Sequence, residues 1–208
     1  MYRVITISRQ YGSGGGEIAQ RLADRLGWRL VSRSVLDEIA ARARISPAVA
    51  AEHDERVDPW FQSMVRALWQ GGFEGAASTT ETVPIDSETI AKYSAQIVQE
   101  AALVGNAVIV GRGAQCILHD RQDTFHVSIY APHSLRIANL RKRLPEGANV
   151  EGKIDETDRQ RASYVRRFFN RDWTDRRLYH LCVCASVGVE TAVEAILCAA
   201  GLPSHSHP

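Results

Sequence analysis

The chain has 208 residues, enough for one domain or one domain with an inserted flap. It is 45% hydrophobic, so it can build a sizeable core, and disorder on composition is excluded. A net charge of +1 offers no global field to a nucleic acid or a membrane surface, and no apolar run approaches the ~20 residues of a membrane span, so any anion site has to be local.

Val4-Ile5-Thr6-Ile7 is a β-branched run that predicts a buried first strand. The opening residues are too short and too β-branched for a signal peptide. A cytoplasmic, reducing setting is therefore expected, with Cys116, Cys182, Cys184 and Cys198 free. The turn Gly12-Ser13-Gly14-Gly15-Gly16 follows. Ile18, Ala19, Leu22, Ala23 and Leu26 recur at helical spacing, and Gly27 stops that helix. Residues 28–31 predict a second short strand. Val35, Leu36, Ile39 and Ala40 predict a helix, and Ser46-Pro47 a capped helix start. Trp60, Phe61, Trp69 and Phe73 stand at near-helical spacings before a Gly/Ser/Thr-rich loop at 71–84. Together they predict a helical flap at about 46–86 that packs on the domain or on a second subunit, so a homodimer is among the expected assemblies.

Residues 87–104 predict a long helix with Ile90, Tyr93, Ile97, Ala101 and Val104 on one face. Gly105-Asn106 breaks it. Ala107-Val108-Ile109-Val110 predicts a buried strand that ends at Gly111-Arg112-Gly113. Another strand is expected at 124–130, closed by Ala131-Pro132, and an arginine-rich helix from there to 144. Residues 145–153 read as loop, 155–171 as a charged helix, 178–185 as the last strand and 189–200 as the last helix. On that last strand Cys182 and Cys184 share a face and are read as core, with a metal or redox pair as the alternative. The domain is expected to span 1–202, leaving 203–208 as a disordered tail whose His205 and His207 are solvated.

Strands alternating with helices imply right-handed crossovers and a parallel sheet, an α/β fold. In such sheets ligands bind at the carboxyl ends of the strands. The glycine turn, Gly111-Arg112-Gly113 and Ala131-Pro132 all fall at such ends. A strand, a glycine-rich turn and a helix start make an anion site, because glycine lets backbone N–H groups converge and the helix dipole adds positive potential. Gly12, Ser13, Gly14, Gly15, Gly16 and Glu17 are the candidate phosphate-binding residues. Set against the Walker pattern G-x-x-x-x-G-K-[ST], Arg9 stands at the first glycine, Gly15 at the lysine and Gly16 at the hydroxyl. A Rossmann pattern would need glycine or alanine where Glu17 stands.

The run Ile7-Ser8-Arg9-Gln10-Tyr11-Gly12-Ser13-Gly14-Gly15 resembles the opening of the cytidylate kinase-like family, a branch of the nucleoside monophosphate kinases. Ile109-Val110-Gly111-Arg112-Gly113-Ala114, Arg161-Ala162-Ser163-Tyr164, Arg171-Asp172-Trp173-x-Asp175 and Tyr179-x-Leu181 extend the resemblance in the same order over nearly the whole chain. It implies a three-layer P-loop NTPase fold of the nucleoside monophosphate kinase kind, a parallel sheet flanked by helices, with an arginine-rich lid at about 151–173. It also implies ATP as donor with Mg²⁺, and a small phosphorylated acceptor such as CMP or dCMP. The lysine-free loop resembles that of this branch. Where true cytidylate kinases carry an acidic-Ser-Gly element after the second strand, Ser32-Arg33-Ser34 stands here, and Gly113 replaces the aspartate expected after Arg112.

Phosphoryl transfer depends on positive charge around the transferred group. Without a P-loop lysine the candidate catalytic cations are Arg9, Arg112, Arg161 and Arg167. Arg159, Arg166 and Arg171, with Asp172 and Asp175, are the remaining lid candidates. Asp158 and Arg161 resemble the Asp-x-x-Arg pair that reads the acceptor in cytidylate kinases, with Arg112 beside them. Any of these lid groups can equally be a solvated helix face or a surface ion pair. No acid ends the third strand, so the magnesium ligand is not identified; Ser13, or water held by Glu17, are the candidates. Two other readings stay open. One is a nucleotide or phosphate sensor that kept the cradle and lost transfer. The other is an NADP-binding reductase that uses Arg33.

Overall fold

The computed structural model describes residues 1–32 and 87–203. The chain divides into two compact units, Met1–Val31 with Val98–Pro208, and Ser32–Ile97. The expected helices after residue 33, the flap and the loop at 71–84 lie outside the described residues, as does the tail from 204.

The first unit is built on five parallel strands, β1 (Val4–Arg9), β2 (Arg29–Val31), β3 (Ala107–Val110), β4 (Thr124–Tyr130) and β5 (Leu181–Cys184), in the order β2-β3-β1-β4-β5. The β-branched first run thus becomes the central strand. Val4, Ile5 and Ile7 are fully buried, which only a strand covered on both sides requires. Alternation sends Ile5 and Ile7 to the layer shared with helix α1 (Gly15–Leu26) and helix α6 (Val189–Ala199), where Ile18, Leu22, Val193 and Ile196 complete the main core. Thr6 and Ser8 point the other way and are still buried, so the opposite face carries a polar layer. There the Thr6 hydroxyl and His126 Nδ1 share a hydrogen bond of 2.7 Å.

Helix α1 ends as its sequence predicts. Gly27 takes a left-handed φ of 62°, its N–H reaches Asp24 O at 3.2 Å, and Trp28 N–H reaches Ala23 O at 2.9 Å. This pair of bonds is the Schellman closure that favours glycine. Helix α2 spans Ser87–Val104, as read from the sequence. Its buried stripe in the first unit is Val98, Ala101 and Ala102, whereas Val104, expected on the buried face, is 69% exposed. With Ala91 and Ser94 also buried and Ile97 only half-buried, the buried face lies about one residue on from the expected one, and Val104 O accepts from Arg3 Nη2 at 3.0 Å.

After β3 comes a four-residue helix, α3 (Ala114–Ile117), that the sequence did not reveal. Helix α4 covers His133–Arg141, shorter than the run to 144 that was expected. The expected loop at 145–153 is partly helical. Helix α5 (Val150–Phe169) starts there because Asn149 Oδ1 accepts from Gly152 N–H at 3.0 Å. Asn149→Ala is expected to lower stability by about 1 kcal/mol in urea unfolding, the usual loss for a helix cap. The expected last strand at 178–185 contracts to Leu181–Cys184, preceded by a 3₁₀ turn at Arg176–Leu178 and followed by another at Ala185–Val187. The core reading of Cys182 and Cys184 is corrected as well. β5 is an edge strand whose Leu181 and Val183 face the core, only Val183 being fully buried, so Cys182 is exposed and Cys184 half-buried. All four cysteines are free thiols. Among the described residues no helix is long and apolar enough to cross a membrane.

Candidate functional site

Because β1 lies between β3 and β4, its carboxyl end opens where the chain connections diverge to the two sides of the sheet, the usual ligand crevice of such folds. The glycine turn sits there. Gly12 and Gly14 have left-handed φ values of 80° and 82°, while Ser13 between them is buried. Alternation of this kind turns successive N–H groups toward one point. Helix α1 then begins at Gly15 with Gly14 as its cap, Glu17 N–H turning back to Gly14 O at 3.0 Å, so the positive end of the helix dipole lies at the crevice. Ser13 Oγ accepts from Gly15 N–H at 3.3 Å. Gly16 and Glu17 are exposed at the rim.

The turn is clamped through its own backbone. Gln10 Oε1 accepts from Ala131 N–H at 3.1 Å. Tyr11 N–H donates to Asp158 Oδ1 at 2.8 Å, and Tyr11 O accepts from Arg136 Nε at 2.7 Å. Arg136 and Asp158 close the ring as an ion pair, Arg136 being only 6% exposed. Asn139 Nδ2 donates to Gly12 O at 3.0 Å. Arg161 Nη1 donates to Arg9 O at 2.8 Å, with its guanidinium carbon 5.7 Å from the Tyr11 ring centre. Asp158 and Arg161 thus both hold the backbone of residues 9–11, and both carboxylate oxygens of Asp158 have partners within the chain.

Arg112 lies between Gly111 and Gly113, and all three have left-handed φ values of 79°, 60° and 68°. A non-glycine residue in that region is strained, and such strain concentrates at functional positions. Arg112 is 4% exposed. Burial pushes the neighbouring Tyr164 hydroxyl up to about 12, with the Arg112 charge acting in the opposite direction. Gly113 is shaped by Phe169, since a Cβ there would fall 2.3 Å from its ring.

Arg159, Arg166, Arg167 and Arg171 are exposed. Arg167 stacks over Phe168 at 5.3 Å. Asp172 and Asp175 turn inward on their own loop. Asp172 Oδ1 accepts from Thr174 N–H at 2.9 Å and Asp175 pairs with Arg177 at 2.9 Å, and those bonds hold both carboxyls below the usual range. The geometry therefore brings Arg161 and Asp158 onto the backbone of residues 9–11 and Arg9 alongside Gly15 and Gly111, keeps Arg112 buried after β3 near Tyr164, and leaves the other lid candidates on the surface.

A cavity of about 230 Å³ adjoins the turn. Ser13, Gly14, Glu17 and Ile18 form one wall, Leu135, Asn139, Lys142 and Arg143 a second, and Ala185, Gly188 and Val189 the third. Mixed walls, apolar at Ile18, Leu135 and Val189 and cationic at Lys142 and Arg143, beside a backbone anion cradle suit a ligand with a flat apolar part and a phosphate tail. Arg136, Asn139, Lys142, Arg143 and the 185–189 loop escaped the sequence reading. The cationic run Arg141-Lys142-Arg143 at the end of α4 was the signal available. Among the described residues no group of three His, Cys, Asp or Glu is arranged to hold a metal.

The model of a family described as the cytidylate kinase-like family matches residues 4–187. Among solved structures, an uncharacterized protein from Eubacterium ventriosum superposes with a TM-score of 0.67 at 22% identity, covering 95% of this chain and 98% of that one. Shikimate kinase from Bacteroides thetaiotaomicron superposes at 0.56 and 15% identity, covering 96% and 98%. A gluconokinase from Sinorhizobium meliloti superposes at 0.56 and 10% identity, covering 97% and 94%. The fold is thus the P-loop kinase fold expected from the sequence. No curated protein matches the sequence significantly.

Proposed function

The chain belongs to the cytidylate kinase-like family, and on that premise we propose that it is an ATP-dependent phosphotransferase acting on a small phosphorylated acceptor, a nucleoside monophosphate such as CMP or dCMP. The observation that carries this reading is the juxtaposition of the cradle from Gly12 to Gly16 with the cation-rimmed cavity. A nucleoside triphosphate fits that pairing. Its base and sugar take the cavity between Ile18, Leu135 and Val189, and its phosphates run past Lys142 and Arg143 onto the N–H groups of the turn.

In this reading Arg112, buried after β3, contributes positive charge from behind the site, and Arg161 steadies the turn from α5. Transfer needs little covalent chemistry from the protein, so placed positive charge is what these residues supply. Magnesium sites of kinases use substrate phosphates, water and one or two protein oxygens. Ser13 Oγ in the turn and the Glu17 carboxylate at the rim are a donor set of that kind. When bound, the ion would neutralise developing charge on the phosphates. A soluble enzyme of the cytoplasm is part of this proposal.

The test is steady-state ADP release by purified protein with Mg-ATP and an acceptor panel. The panel spans nucleoside monophosphates and, because the fold neighbours are named shikimate kinase and gluconokinase, also hydroxylated small metabolites. Acceptor-dependent ADP with CMP or dCMP is the expected result. Tight Mg-ATP binding with no ADP from any acceptor would instead support a nucleotide sensor, the reading favoured by glycine at the lysine position, Gly15.

A further inference from the structure

We propose that Arg9 supplies the positive charge that a P-loop lysine supplies elsewhere, and that position 15 is glycine because Arg9 occupies the space a side chain would need. This rests on the ATP-site reading above.

Gly15 is not required by its backbone. The glycines with left-handed φ include Gly12 and Gly14 but not Gly15, which is the first residue of helix α1. Any L-residue adopts such a conformation. The obstacle is steric. A Cβ at position 15 would lie 2.7 Å from Arg9 Cβ and 3.1 Å from Arg9 Cγ. Cβ is the root of the side chain and no rotamer change moves it aside. At the far end of the same side chain, a Cβ on Gly111 would lie 2.3 Å from Arg9 Nη1. Arg9 therefore runs from beside the first residue of α1 to the turn that follows β3, along the floor of the crevice between the two glycine segments.

The Walker pattern has glycine at the place of Arg9 and lysine at the place of Gly15. Here the bulk and the charge have changed places. A side chain at 15 and an arginine at 9 exclude each other in this backbone, so the cation comes from the strand end and not from the helix start. A guanidinium also binds phosphate oxygens in pairs, which an ammonium does not.

The swap is directly testable by calorimetric titration with Mg-ATP and with AMP, beside thermal unfolding. Arg9→Gly is expected to weaken Mg-ATP by about tenfold or more, the loss of a charge-assisted contact, while AMP, which lacks the outer phosphates, is barely affected. Arg9→Gly with Gly15→Lys is expected to recover most of the Mg-ATP affinity. Gly15→Ala alone is expected to lower the Tm by several degrees with Arg9 present, and much less in the Arg9→Gly background. Arg9→Met keeps the stem and removes the charge, and it replaces Arg9→Gly in the binding test if the latter does not fold. If the charge-less variants fold and bind Mg-ATP as wild type does, the Arg9 assignment is overturned while the nucleotide site stands. Equal Tm losses from Gly15→Ala in both backgrounds overturn the exclusion. If the wild type binds neither nucleotide, the site reading fails and this one with it.

Discussion

Gly12→Ala is expected to cost about 3 kcal/mol of stability, a fall in Tm of roughly 6–12 °C for a chain of this size, and to abolish Mg-ATP binding. Two terms add. The residue sits at a φ of 80°, where a Cβ costs roughly 1–2 kcal/mol by its contact with its own backbone. The new Cβ would also fall 2.8 Å from Leu140 Cδ1 and 2.9 Å from Arg136 O. The second of these is backbone inside α4, so relief requires moving the helix or the turn. Moving either breaks the Asn139 bond to Gly12 O and the Arg136 bond to Tyr11 O, which fix the cradle. Gly14→Ala provides the internal control. Its φ of 82° is as strained, but nothing lies within 4 Å of the added carbon. It should cost only the backbone term, about 1–2 kcal/mol. Urea unfolding of the two variants checks the difference, and equal losses would show that contact with α4 does not matter.

The same contrast explains what the sequence could and could not reveal. β1, α1, β3 and β4 are spelled by contiguous residues, as β-branched runs, an apolar stripe and glycine stops, so their positions and the crevice at the end of β1 are legible without coordinates. The start of α5 was missed because its first turn is polar and a single Asn149 bond defines it. The edge position of β5 was missed because Leu181 to Cys184 reads like any buried strand until its neighbours are known. Within the site the cradle is local and legible. Its clamp is not, because Arg136, Asn139 and Asp158 meet Tyr11 and Gly12 across more than a hundred residues of chain. The spacing of Asp158 and Arg161 was visible, but no periodicity reveals that both end on the backbone of residues 9–11. Arg9 was legible as a charge beside the turn. That its stem excludes a side chain at Gly15 is a fact of three dimensions.

The polar layer beneath the sheet has a consequence for acid stability. His126 on β4 is 2% exposed, its Nδ1 shares a hydrogen with Thr6 Oγ1, and its ring stacks on His180 at 5.2 Å. Burial, with smaller contributions from the charges of His180 and His119, pushes its pKa down from 6.5 to about 4. His180 is lowered in the same direction, again mainly by burial. The unfolded chain therefore binds a proton at His126 that the folded chain refuses. Stability from this group is complete above pH 6.5 and is lost as pH falls toward 4, at about 1.4 kcal/mol per unit, so roughly 3 kcal/mol in all. Asp123, Asp172 and Asp175 are held below the ordinary carboxylate value of 3.8, so their contribution disappears only at lower pH and does not fill this window. Urea midpoints measured from pH 7.5 down to 4.5 are expected to fall steadily below about pH 6.5. His126→Gln keeps a partner for Thr6 but does not titrate, so it is expected to flatten most of that slope. An unchanged slope in the variant would assign the acid sensitivity to other groups.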